Sequence, residues 1–204
     1  MFTGIVAAVG KITSITPLGN QPDSGVRLSV HAGGLPMTDV ALGDSIALNG
    51  ACMTVVSKTN DGFTVDVSRE SLNRTAGLDS VGEVNLEKAL TLADRLGGHL
   101  VSGHVDGLGT VRKFEPVGES VELVVAAPKD LAKYLAYKGS IVVNGVSLTV
   151  NRVEDTPASC EFSINLIPHT VEVTTLKHLK PGATVNLEID LIARYVERML
   201  SAKA

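Results

Sequence analysis

The chain repeats itself at long range, and no other feature restricts its fold as much. Phe2-Thr3-Gly4-Ile5-Val6 lies over Val101-Ser102-Gly103-His104-Val105 at an offset of 99. Asn49-Gly50-Ala51-Cys52-Met53-Thr54-Val55 matches Asn144-Gly145-Val146-Ser147-Leu148-Thr149-Val150 at 95. Val67-Ser68-Arg69-Glu70-Ser71-Leu72 aligns with Leu166-Ile167-Pro168-His169-Thr170-Val171 at 99, and Val84-Asn85-Leu86-Glu87 recurs unchanged as Val185-Asn186-Leu187-Glu188 at 101. The blocks keep one order while the offsets drift, as loop insertions would make them drift. Two tandem copies of one domain explain this; a solenoid of short repeats does not. The 204 residues hold two domains of about 100 each.

Each copy reads as β-rich. Gly25–Val30, Phe63–Val67 and Glu83–Leu86 alternate apolar and polar, as half-buried strands do. Val121–Val125, Ile141–Val143 and Ser147–Val150 are rich in β-branched residues. Glycines punctuate at short intervals, so about five or six strands per copy predict a small closed barrel, which protects its own edges. MFTGIV reads as the first strand of the first barrel and VSGHVD as its counterpart in the second. Helices are expected over Pro36–Leu42 and Pro128–Tyr137, each after a proline and before a glycine, and over Glu87–Leu96, ending at Gly97-Gly98. Leu191-Ile192, Tyr195-Val196 and Met199-Leu200 recur at i, i+4 and i+8, one apolar stripe on a terminal helix. It belongs to neither copy, and its surface partner is expected to be another subunit. The organisation is therefore all-β with a terminal α-helix: residues 1–99, 100–190 and 191–204.

Composition narrows the function. A net charge of −4, scattered Lys and Arg, and 3% aromatics argue against nucleic acid. No apolar run approaches the ~20 residues of a membrane span. Met1 leads into an apolar alternating segment with no basic leader or cleavage signal, which predicts a cytoplasmic protein. Cys52 and Cys160 form no disulfide framework and no CxxC pair.

Matched positions separate fold from chemistry. Gly4 and Gly103 agree, either for a positive φ or for room beside a ligand. Asn49-Gly50 and Asn144-Gly145 agree, as tight hairpins require. Thr54 and Thr149 suit a strand and could also bond a ligand. Other matched pairs differ. Cys52 faces Ser147, and although free cysteines are commonly inert hydrophobes, the serine suggests a place for a small donor. Ile5 faces His104, which can act as acid or base near neutral pH. Asp190 faces Ala89, so the fold does not demand its carboxylate; a favourable charge at a helix start is the competing reading. His99, His104 and Asp106 match no metal-ligand spacing, so no metal is expected. Spacing alone names no reaction.

MFTGIV, NGACMTV, GGHLVSGHVDG, YKGSIVVNGVSLTV and NLIPHT together resemble the riboflavin synthases of α-chain type, along essentially the whole chain. The resemblance implies two six-stranded antiparallel Greek-key barrels with a C-terminal helix, assembled as a homotrimer. It implies dismutation of two 6,7-dimethyl-8-ribityllumazines to riboflavin and 5-amino-6-ribitylamino-uracil, the last step of riboflavin biosynthesis. No cofactor or metal is implied, and association with lumazine synthase is a further partner to test. One ligand site is expected to use Gly4, Ile5 and Val6; Cys52, Met53 and Thr54; and Asp66, Val67, Ser68, Arg69, Glu70 and Ser71. The other is expected to use Gly103, His104 and Val105; Lys138; Ser147, Leu148 and Thr149; and Asn165, Leu166, Ile167, Pro168, His169 and Thr170. Phe2, Ser45, Cys52, His104, Ser147 and Asp190 are expected closest to the chemistry. In LIPHT, His169 stands where the first copy has Glu70. A non-catalytic lumazine- or flavin-binding antenna protein of the same fold is the alternative. A flavin reductase barrel would need an adjoining nucleotide-binding domain, for which the length leaves no room.

Overall fold

The computed structural model describes residues 1–202. In the first copy β1 (Ala8–Pro17), β2 (Val26–His31), β3 (Ser45–Leu48), β4 (Ala51–Lys58), β5 (Gly62–Val67) and β6 (Gly82–Lys88) close into a barrel of order β1-β2-β5-β4-β3-β6. Every neighbouring pair is antiparallel. Alternation places Val26, Leu28 and Val30 of β2 inside, beside Ile12, Ile46, Leu48, Val65, Val84 and Leu86. The short helix α1 (Arg69–Arg74) follows β5.

The second copy is a seven-stranded sheet of order β10-β9-β13-β7-β8-β12-β11. Its strands are β7 (Gly107–Val117), β8 (Ser120–Pro128), β9 (Ser140–Val143), β10 (Val146–Thr149), β11 (Arg152–Asp155), β12 (Ser159–Leu166) and β13 (Thr184–Ile189). Helix α2 (Pro168–Val173) follows β12 as α1 follows β5. The extra strand has a simple origin. β4 carries a bulge between Val55 and Ser57. At the matched Val150-Asn151 the second copy breaks one strand into β10 and β11, the two outer strands of the sheet. Across the break, Val150 N–H donates to Gly139 and Asn151 N–H to Ser163, so the sheet curls to near closure. The other bulge is repeated faithfully, between Ile12 and Ser14 in β1 and between Val111 and Lys113 in β7.

Residues 1–6 are not a barrel strand, contrary to the expectation from sequence; β1 begins at Ala8. Phe2 instead forms an antiparallel bridge with Val101, so the two repeated segments meet each other. Pro36–Leu42 is not a helix either. It makes turns that send Met37 and Val40 into the barrel end, with the Lys58 ammonium donating to the Met37 carbonyl (3.1 Å) and to that of Val40. Glu87–Leu96 also departs from helix. Glu87 and Lys88 finish β6, opposite Ala47 and Ile46, and beyond them Ala89 and Leu90 N–H donate to Ser45 and Met1. With those amides satisfied by other segments, helix has nothing to gain. Over Pro128–Tyr137 the helix shortens to a 3₁₀ turn at Lys129–Tyr134 that buries Leu131.

Helix α3 (Leu191–Ser201) bears the expected stripe; Lys203 and Ala204, the end of the predicted segment 191–204, lie outside the described residues. Asp190 caps it, accepting from Ile192 N–H at 2.8 Å. Arg194 pairs with Asp106 at 2.7 Å, and Lys133 with Glu197 at 2.6 Å. Ile192, Tyr195, Met199 and Leu200 remain 64–68% exposed. No described helix is long and apolar enough to cross a membrane.

Candidate active site

The two copies meet across an approximate two-fold relation, which brings together the arm residues Phe2, Gly4, Gly103 and Val101 with Cys52 and Ser147. Phe2 N–H donates to Val101 (2.7 Å) and Val101 N–H to Phe2 (3.1 Å). Ser147 N–H donates to the Gly4 carbonyl at 2.7 Å, and reciprocally Cys52 N–H donates to Gly103 at 2.8 Å. The arms are exchanged: residues 2–6 lie against the second copy and 101–105 against the first. Val6 packs on the second core and Val105 on the first. Phe2, Ala47, Val101 and Val142 form a small core of their own between the barrels.

The contact is too close for side chains at the glycines. A Cβ on Gly4 would lie 2.7 Å from the Ser147 Cβ, and one on Gly103 2.7 Å from the Cys52 Cβ. Both glycines also have positive φ, +74° and +81°. The two readings offered by the sequence, backbone conformation and close approach, hold together. The Asn-Gly hairpins meet in the same way. Asn85 Nδ2 donates to Asn144 O (2.8 Å), and Asn186 Nδ2 to Asn49 O (3.0 Å).

Two buried glutamates, absent from the expected site, hold the arms. Glu87 accepts from Thr3 N–H (2.6 Å), the Thr3 hydroxyl (2.7 Å) and Gly4 N–H (3.0 Å). Glu188 accepts from Ser102 N–H (2.6 Å), the Ser102 hydroxyl (2.7 Å), and Gly103 and His104 N–H (both 3.0 Å). Burial pushes both carboxyls above the ordinary range, and the converging donors oppose that push. The signal was present in the sequence: VNLE recurs without change. Both glutamates are buried because the second face of the strand is covered by the other copy.

His99, which the sequence offered only as part of an improbable metal cluster, lies against Ser147. Its Nδ1 lies 2.7 Å from the Ser147 hydroxyl, and its backbone N–H donates to Thr3 O at 3.1 Å. Burial lowers its pKa, against the attraction of Asp190. A cavity of about 570 Å³ opens beside the arm, lined by Ile5, Ser45, Glu87, Lys88 and Arg95 among others.

The sequence profile of the lumazine binding domain matches twice, over residues 3–89 and 102–190. The chain belongs to the lumazine-binding domain family. A riboflavin synthase of Photobacterium phosphoreum is 46% identical over 202 residues, 98% of this chain and 89% of that one. One of Brucella abortus is 41% identical over 206 residues, with 98% of each covered. Among solved structures, LumP complexed with riboflavin is similar at a TM-score of 0.80 and 27% identity, over 93% of this chain and 99% of that one. LumP complexed with 6,7-dimethyl-8-(1'-D-ribityl) lumazine gives 0.77 and 27%, over 92% and 98%.

Within this lumazine-binding architecture the expected residues fall into three groups. Ile5, His104, Thr54, Thr149, Lys138, Asn165, Ile167, Pro168 and His169 are exposed, and Cys52, Ser45, Val105, Ser147, Leu148, Thr170 and Asp190 are partly so. A second group is committed to internal pairs. Asp66 takes a two-pronged bond from Arg27 (2.7 and 2.8 Å), Arg69 donates to Ser24 O (2.8 Å), Ser68 caps α1 at Ser71, and Glu70 pairs with Arg74 (2.9 Å). Met53, Val67 and Leu166 point into barrel cores and offer a ligand only their backbones. Phe2 is fully buried between the barrels, packed with Ala47, Val101 and Val142. The expected grouping also changes: within one chain Gly4 and Val6 accompany Ser147, whereas Gly103 and Val105 accompany Cys52.

Proposed function

We infer that the chain is a riboflavin synthase, converting two 6,7-dimethyl-8-ribityllumazines into riboflavin and 5-amino-6-ribitylamino-uracil by transfer of a four-carbon unit. The observation that carries this reading is the completeness of both repeats. The second copy keeps Ser-Gly-His, Ser-Leu-Thr and Lys138, with Ser147-Leu148-Thr149 on β10 as Cys52-Met53-Thr54 lies on β4. A reaction between two copies of one molecule suits two like sites, and holding the reactants face to face can supply several kcal/mol. Similarity supports the same choice, since relatives named riboflavin synthase are 40–46% identical, against 27% for LumP.

In this reading residues 1–99 and 100–190 each bind one lumazine. Cys52, Ser45 and His104 on one side, and Ser147 and Asp190 on the other, stand nearest the reacting atoms. His104 has an exposed ring on an arm fixed by Glu188, a suitable base for the lumazine 7-methyl proton. The exposed stripe of α3 is the trimer contact, joining the first barrel of one subunit to the second barrel of another. A cytoplasmic location and association with lumazine synthase belong to the same reading. Incubating the purified protein with the lumazine alone tests it. Two lumazines lost per riboflavin gained is the expected result; tight binding without turnover would make the chain an antenna protein.

A further inference from the structure

We propose that His99 is a positioning residue that fixes Ser147 as a hydrogen-bond donor to the ligand of the second copy. The proposal deepens the reading above and rests on it for the presence of a ligand at Ser147. Its basis is an inequality between two matched places. Ser147 and Cys52 occupy equivalent positions, each donating its N–H to a glycine of the opposite arm. The Ser147 hydroxyl has the His99 Nδ1 at 2.7 Å, whereas the Cys52 side chain has no hydrogen-bond partner among the described residues.

The direction of that bond follows from the rest of the ring. The His99 Nε2 is buried and has no partner among the described residues. Were Nε2 to carry the proton, a buried N–H would be stripped of every acceptor, which native interiors seldom tolerate; an unused lone pair is the lesser defect. The imidazole is held neutral, because burial disfavours its charged form. The single ring proton therefore sits on Nδ1 and is donated to the serine oxygen. With that oxygen engaged as acceptor, the serine's own proton is free to be given to a carbonyl or ring nitrogen of a bound pteridine. His99 is itself held, through its backbone bond to Thr3 and hence to the Glu87 clasp. Two otherwise similar sites would thus differ in one oriented donor, enough to give two identical ligands unequal electron demand.

Nitrogen-15 spectra of labelled histidine in the ligand-free protein test the tautomer directly. A protonated Nδ1 with a bare Nε2 is expected at His99, and the opposite tautomer overturns the proposal whatever the protein catalyses. The functional test compares two variants. The Asn in His99→Asn can place its amide N–H where Nδ1 was, while the Gln in His99→Gln reaches only the Nε2 position. His99→Gln should lower kcat on the order of ten- to a hundredfold, and His99→Asn should recover most of it. In a Ser147→Ala background, His99→Gln should change kcat by only about twofold. Equal losses for Asn and Gln, or additive losses with Ser147→Ala, would mean that His99 only supports the fold. If the wild type binds the lumazine without converting it, the enzyme reading fails by itself. The same cycle read on riboflavin affinity then decides the role of His99.

Discussion

At the scale of single residues, the glycines and glutamates of the clasp matter more than the side chains whose chemistry first drew attention. Gly103→Ala would force a Cβ to within 2.7 Å of Cys52 at a φ of +81°. We expect a stability loss above about 1 kcal/mol, measurable as a lower denaturation midpoint, with wild-type stability refuting the close contact. Glu188 makes a second prediction. Its pKa is raised by burial, so the folded state keeps the proton longer than the unfolded chain does. Its contribution is therefore fullest below the unfolded value of about 4.3 and declines as pH rises through the folded value. Glu188→Gln loses an acceptor facing the Gly103 and His104 amides and should cost about 1–3 kcal/mol. Its melting temperature should also fall less steeply than wild type as pH is raised from about 4. Parallel curves would mean that the carboxyl titrates alike in both states. The roles of Gly4 and Gly103 were partly legible in the sequence, since matched glycines demand a backbone reason. For Glu87 and Glu188 the unchanged VNLE marked the positions but not the role, because a charged residue on a strand ordinarily faces solvent.

At the scale of elements, Asp190 is where a structural and a chemical role can be separated. It caps α3 through Ile192 N–H, so Asp190→Ala should destabilise by about 1 kcal/mol, whereas Asp190→Asn keeps a capping oxygen. If the Asn variant melts like wild type yet loses turnover, the charge acts in the reaction; full turnover would leave Asp190 as a cap alone. The strands of the barrels were readable from period-two patterning because one face of each is apolar and enclosed. Helices α1 and α2 were not, since six residues are too few to display a period of 3.6. The helical reading of Glu87–Leu96 failed for a related reason. Like them it rests on a short stretch, and Glu87 and Lys88 instead continue β6 opposite Ala47 and Ile46 while the Ala89 and Leu90 amides are bonded to Ser45 and Met1. The split of β10 from β11 is local, placed where β4 merely bulges, and nothing in the repeated blocks distinguishes the two.

At the scale of the whole molecule, α3 projects an apolar face beyond either barrel. Met199→Glu should break the proposed trimer, seen as a fall in sedimentation mass, and abolish turnover if each reaction site is shared between subunits. Unchanged mass would remove α3 from the assembly. The internal duplication was legible end to end. The exchange of arms was not, because a repeat tells which residues are equivalent and not which copy each one touches. That exchange has a consequence for biosynthesis on the ribosome. Every strand of the first barrel has emerged by Lys88, so it can close early. Its leading arm cannot settle, because Phe2 must wait for Val101 and Gly4 for Ser147, nearly three-quarters of the chain later. The arm ahead of the first barrel is thus among the last segments to find its place.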